Sequence, residues 1–153
     1  MTSTATETIW LSEDQQAVWR TYLAGVSRIN ERLDRELRPF GLDLGEYEIL
    51  VNLSEADGLE LRMSDPAERV RQSRSRLTHT VARMEAKGLI LRKSCPEDRR
   101  GVIAVLTATG LTLLRQAAPM HVKSVRQALV DAVDPEDFRA LGRTMQAVLK
   151  VTD

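Results

Sequence analysis

From Val18 to Leu37 the chain repeats apolar side chains at spacings of three and four: Val18, Tyr22, Val26, Ile29, Leu33, Leu37. That period predicts one long helix over residues 12–38. Ser12 and Gln15 have the spacing of a capping box at its start, and Pro39 with Gly41 stops it. A second, shorter helix follows in "LGEYEILVNLSEA" and ends at Asp57 and Gly58. "LELRM" suits a short strand, and Ser64, Asp65 and Pro66 open a further helix with a cap and a first-turn proline. In "VRQSRSRLTHTVARMEAKG" the segment Arg71–Ser73 is the break, Ser73 or Ser75 the cap, and Gly88 a left-handed stop. Leu77, Val81 and Met84 fall on one face of that helix.

Next, "LILRK" and "GVIAVL" are β-rich and flank "KSCPEDRRGV", so they predict a hairpin with a long, charged, proline-stiffened tip. Thr107 caps a long helix with the stripe Leu111, Leu114, Ala118, Val122, Val125, Leu129 and Val133, which Pro119 should kink. "DPED" at 134–137 caps a last helix carrying Phe138, Leu141, Met145 and Val148. The order predicts a mainly α chain with a small β-hairpin wing. A helix-turn-helix followed by a hairpin is a winged helix, expected here over residues 41–106. The outer helices, 1–40 and 107–153, carry more apolar face than one small unit needs, and predict a helical dimerisation region in the same single domain.

Composition fits that reading. Of 153 residues, 42% are hydrophobic but only 4% aromatic, an aliphatic supply that suits packed helices. The first ten residues lack a basic stretch leading into an apolar run, which predicts no secretory signal. Nowhere do about 18 apolar residues run together, which predicts no membrane span. The single cysteine, Cys95, excludes an intrachain disulfide and favours a cytoplasmic setting. Net charge is zero, with 22 basic and 22 acidic residues, yet residues 69–100 hold ten Lys or Arg against three Asp or Glu, about +7. A basic segment in a neutral chain is an electrostatic footprint for a polyanion.

At 100° per residue, Ser75, His79, Ala82 and Arg83 point away from Leu77, Val81 and Met84, with Arg76 and Thr78 on the shoulders. This face has donors, acceptors, a small alanine and no acid. Such a face suits base reading in a major groove better than plain solvation. Two arginines at a hairpin tip, Arg99 and Arg100, suit a phosphate contact and insertion into a narrow, electronegative minor groove. Asp98 would orient a neighbouring arginine by a charge-assisted bond.

These residues resemble the MarR family of transcriptional regulators. "SRSRLTHTVARMEAKGLI" is similar to that family's recognition helix and first wing strand, and "PEDRRGVIAVLTATG" to its wing, with Asp98, Arg100, Leu106 and Thr107 matching position by position. The likeness is clearest from Met63 to Gly110 and departs at "MSDPAERV", where the family more often has a helix former. The resemblance implies an obligate homodimer on a pseudo-palindromic operator in double-stranded DNA, usually as a repressor and often ligand-responsive. It also implies Arg100 in the minor groove and the polar face of 73–83 in the major groove. The DNA-binding set is then Ser73, Arg74, Ser75, Arg76, Thr78, His79, Arg83, Asp98, Arg99 and Arg100.

Other residues carry weaker readings. Trp10, Trp19 and Tyr22, with Arg69, suit a pocket for a small aromatic or phenolic effector where the first helix meets the winged lobe, though packing at a dimer interface is the commoner role for such aromatics. His121 beside Pro119 could line the same pocket, though a partly buried helix histidine is the commoner case. Arg92, Lys93 and Arg99 near Cys95 favour a thiolate, but the family's oxidant-sensing cysteine lies near the N-terminus, where this chain has none. His79 and His121 lack partners for a metal site, and no cofactor is expected. No nucleophile elbow, P-loop or dinucleotide fingerprint argues for an enzyme. The competing class is a winged-helix module that binds a protein and not DNA. The acid-free face and paired arginines speak against it.

Overall fold

The computed structural model describes residues 8–63 and 74–152, apart from the side chains of Arg74 and Arg99. The helix expected from Ser64–Pro66, the break at Arg71–Ser73, and the site candidates Ser73 and Arg69 lie outside the described residues.

Helix α1 (Glu13–Leu37) starts at the reciprocal Ser12–Gln15 cap that its sequence predicts. A single 3₁₀ turn, Arg38–Phe40, leads into α2 (Leu44–Glu55), where Asp43 and Glu46 form a second capping box. Strand β1 (Glu60–Arg62) follows. Helix α3 (Arg74–Ala86) has Ser75 inside it and not at its cap. Past its end, the Gly88 and Leu89 amides donate back to the carbonyls of Glu85 and Met84 at 2.9 and 3.0 Å. Strands β2 (Ile90–Cys95) and β3 (Asp98–Leu106) come next, then α4 (Ala108–Val125), a π-turn over Arg126–Val130, and α5 (Pro135–Val151) capped by Asp134.

The sheet is three-stranded and antiparallel in the order β1-β3-β2. β1 is therefore part of the wing, pairing Glu60 with Val105 and Arg62 with Ile103. The long charged tip is corrected as well. The strands extend inward until only Pro96 and Glu97 remain between them. The extra length appears as an irregularity: Ser94 pairs with Val102 but Cys95 pairs with Asp98, so Arg99, Arg100 and Gly101 swell out of β3.

The core lies where α2, α3, the sheet and the start of α4 meet. Ile49, Leu50 and Leu53 of α2 pack with Leu77, Val81 and Met84 of α3, and with Ile90, Ala104, Leu106 and Leu114. Gly110 makes the joint between wing and α4 possible. A Cβ there would stand 2.2 Å from the Leu89 carbonyl oxygen and 2.8 Å from Leu106 Cδ1. Thr107 closes the same joint, its hydroxyl bridging the Gly88 and Leu89 carbonyls and accepting the Gly110 amide at 3.0 Å.

Two expected apolar stripes are covered only in part. In α1, Leu33 and Leu37 are buried, whereas Val18, Tyr22 and Val26 are exposed. In α4 the buried line is Gly110, Leu114, Ala117 and Ser124, with Val122 left 54% exposed, and Leu129 and Val133 lie beyond the helix. Three of these four are small, so a count of large apolar positions passes over them. α4 runs through Pro119 without interruption. α5 has no buried residue at all. Gly110→Ala should lower unfolding stability by about 2–3 kcal/mol, the scale of an overpacked core. Urea unfolding followed by circular dichroism measures this, and an unchanged midpoint would mean that the joint opens freely.

Candidate nucleic-acid interface

Leu77, Val81 and Met84 bury one side of α3, together with Thr80, whose hydroxyl returns to the Arg76 carbonyl at 2.9 Å. That anchoring turns Ser75, Arg76, Thr78, His79, Ala82 and Arg83 outward, all exposed. The 3.6-residue period thus places the predicted face where the sequence puts it, without an acid on it. Helix and wing are joined directly, since only Lys87, Gly88 and Leu89 separate α3 from β2.

At the wing tip Asp98 works through the backbone. Its carboxylate accepts the Arg100 amide at 3.0 Å, which fixes the start of the swelling. Its other oxygen lies 3.6 Å from an Arg62 guanidinium nitrogen, so an arginine side chain of β1 meets it. Arg62 was not legible as a site residue, because only the β1–β3 pairing brings it there. Gly101 completes the arrangement: a Cβ at this position would lie 2.8 Å from Cys95 Cβ. Cys95 is itself buried beneath that contact, unlike the reactive thiol its basic neighbours suggest.

The basic excess of residues 69–100 is partly neutralised within the fold. Arg92 pairs with Glu85, Lys93 with Glu60, Lys87 with Glu46, and Arg83 with Asp43 at 2.8 Å. Arg83, expected on the reading face, is exposed there and also bridges to α2. Arg76 on α3 and Arg100 on the wing stay exposed.

The MarR family model matches residues 42–102, from the start of α2 to the wing. AbsC, a MarR family transcriptional regulator from Streptomyces coelicolor, is 45% identical, with 94% of this chain and 97% of that chain covered at a TM-score of 0.87. This chain belongs to the MarR family. A second member from the same organism, Sco3205, was solved in complex with DNA. It is 40% identical over 95% of this chain and 92% of its own, at a TM-score of 0.91. The transcriptional regulator MhqR of Bacillus subtilis is 26% identical over 101 residues, 66% of this chain and 68% of its own. The MarR assignment makes the chain a transcriptional regulator and not an enzyme.

The aromatic residues expected to line an effector pocket sit elsewhere on this MarR chain. Trp19 and Tyr22 stack at 5.7 Å between centroids and line an apolar groove with Leu141, Met145 and Val148 of α5. Trp10 is 83% exposed. Leu33 stands about 21 Å further along α1 than Trp19 at 1.5 Å per residue, so the trio does not reach the winged lobe. The junction with that lobe holds a cavity of about 370 Å³ lined by Asn30, Leu33, Leu44, Tyr47, Glu48, Val51, Asn52 and His121. The Tyr47 and His121 rings lie 4.2 Å apart, and burial raises the tyrosine pKa and lowers that of the histidine. His121 Nδ1 has no hydrogen-bond partner among the described residues. A lowered histidine pKa means that the unfolded chain binds a proton more readily. His121 thus contributes stability that is full above its unfolded pKa and is lost as pH falls through the folded value. The difference in unfolding stability between wild type and His121→Phe should change as pH drops below about 6.5. A constant difference across that range would sink the assignment.

Proposed function

We propose that this chain acts as a homodimeric repressor that binds a pseudo-palindromic operator in double-stranded DNA and releases it when a small phenolic molecule occupies the Tyr47–His121 cavity. The observation that carries the DNA reading is the outward face of α3, polar and free of acids, followed at once by a wing whose arginines swell from β3. Ser75, Arg76, Thr78 and His79 would meet base edges and phosphates in the major groove, with Arg74 beside them. Arg100, its amide held by Asp98, would enter the minor groove, with Arg99 on a phosphate. Arg83 and Asp98 contribute by position and not by reading. Sco3205, 40% identical and solved with DNA, supports DNA as the partner.

A second copy of the chain is the natural cover for the arms. Val18, Trp19, Tyr22, Phe138, Val148 and Leu149 are all exposed in one chain, and an apolar area of this extent marks an interaction surface. Two recognition helices in one dimer then read half-sites about one helical turn apart. Among the described residues no helix is long and apolar enough to cross a membrane, which fits action on DNA in the cytoplasm.

The cavity favours a phenol over a carboxylate. Its histidine is biased to the neutral form, Glu48 stands in the wall, and an aromatic ring can lie against Tyr47 while its hydroxyl bonds His121. Such a ligand acts only by binding the DNA-incompetent dimer better than the DNA-bound one. Chlorinated or alkylated phenols should release operator DNA at lower concentration than the matching benzoates, and His121→Phe should blunt the response. Equal potency of the two series would remove the phenol reading and leave DNA binding untouched.

Selection from random DNA, followed by affinity measurement, tests the main reading. Arg100→Ala should weaken operator binding by roughly 1–3 kcal/mol and flatten its salt dependence. Unchanged affinity and salt slope in a folded variant would take the wing out of the interface. Failure to select any sequence would favour a protein-binding module.

A further inference from the structure

Four charged side chains fasten one end of α3 to α2. Glu46 is 1% exposed, and its two carboxylate oxygens accept from Lys87 Nζ at 2.8 and 3.0 Å. The same ammonium donates to the Gly41 carbonyl at 2.9 Å. Arg83 donates to Asp43 at 2.8 Å and brings its Nε within 3.6 Å of Glu46. Asp43 and Glu46 also cap each other's backbone amides at 2.7 and 3.0 Å. One residue on, the Leu44 amide donates to Asp34 of α1 at 3.1 Å. A continuous line of charge-assisted bonds therefore runs from α1, through the first turn of α2, into the C-terminal turn of α3.

All these bonds lie at one end of the helix. Thr78, in the reading half, is five residues before Arg83, about 7.5 Å along the axis, and nine before Lys87, which lies just past the helix end. A small tilt at the fastened end becomes a larger displacement at the reading end. The fastening also has one favoured arrangement. If Lys87 moves away, the buried Glu46 loses the ammonium that both its oxygens meet and keeps only the longer contact to Arg83. A purely apolar contact would tolerate sliding.

We propose that Glu46, Lys87, Arg83 and Asp43 are positioning residues that set the angle of α3 against α1, and so determine which half-site spacing the dimer accepts. The proposal rests on the reading of the chain as a homodimer that binds DNA. It gives Arg83 a role in specificity without contact to a base, and it includes Lys87, which the pattern of the recognition face leaves out.

The test uses full-length protein and an operator selected by the wild type, with versions that have one base pair added or removed between the half-sites. Lys87→Met, checked as folded by circular dichroism and as dimeric by light scattering, should lose roughly tenfold on the selected spacing. It should lose much less on the altered spacings, so that discrimination collapses. Lys87→Arg should restore it. Where Lys87→Met does not fold, Glu46→Gln serves in its place. An equal loss on every spacing, or unchanged discrimination, overturns the proposal. If the wild type selects no DNA, the DNA reading fails, and the fastening is then read from the dimer alone. Nitroxides on Ala82→Cys, in a Cys95→Ser background, report the distance between the two α3 helices. A broadened distribution in Lys87→Met supports the fastening, and an unchanged one overturns it.

Discussion

A carboxylate taken out of water must be met by cations, and Glu46 is such a group at the centre of this chain. Uncompensated, an ionised side chain in that position costs several kcal/mol. Its partners come from the far end of a different helix, so meeting the requirement fixes where α3 ends relative to α2. The apolar packing follows the same geometry. Ile49, Leu50 and Leu53 face the core that Leu77, Val81 and Met84 complete, and the α2 cap keeps Glu46 in register with both cations. With α3 held at that end, its outward face and the wing that grows from it have defined positions.

The wing depends on a second constraint, the close approach of backbones. Gly101 lets β3 swell against Cys95, and Gly110 lets α4 start directly beneath the Leu89 carbonyl. Between them, β3 is long enough to hold β1 on one side and β2 on the other. The ion pairs across this sheet and onto α3 give Arg83, Lys87, Arg92 and Lys93 acidic partners while leaving the four cations at the surface.

The arms show the opposite condition, a face the chain does not cover. α1 is 25 residues long and buries only Leu33 and Leu37, both in its last turns near the core. α5 buries nothing; it leaves Phe138 exposed and Val148 open in the groove beside the Trp19–Tyr22 stack. Helices of this kind gain little from a single chain. They are stable where an apolar face finds a partner, and a second copy offers a matching one.

Local order was legible in the sequence. The Ser12–Gln15, Thr107 and Asp134 caps, the Gly88 stop and the inward line Leu77, Val81 and Met84 each depend on neighbours within one or two turns, and the structure has them as expected. The MarR pattern in the wing was legible for the same reason, since Asp98 and Arg100 act through a bond two residues long. Residues that meet only in three dimensions were not. Arg62 reaches Asp98 through strand pairing, Arg83 turns to Asp43 forty positions away, and Tyr47 finds His121 where three helices converge. The aromatic residues of α1 were expected at the junction with the winged lobe, but the cavity there is lined by Tyr47 and His121, because sequence shows which side chains could line a cavity but not where the helices leave one. The sequence by itself determined the elements and the chemistry of the reading face, which are set by short-range periodicity and caps. The tertiary structure alone decided which charges meet in pairs across the fold, because that depends on distances between elements that no local pattern encodes.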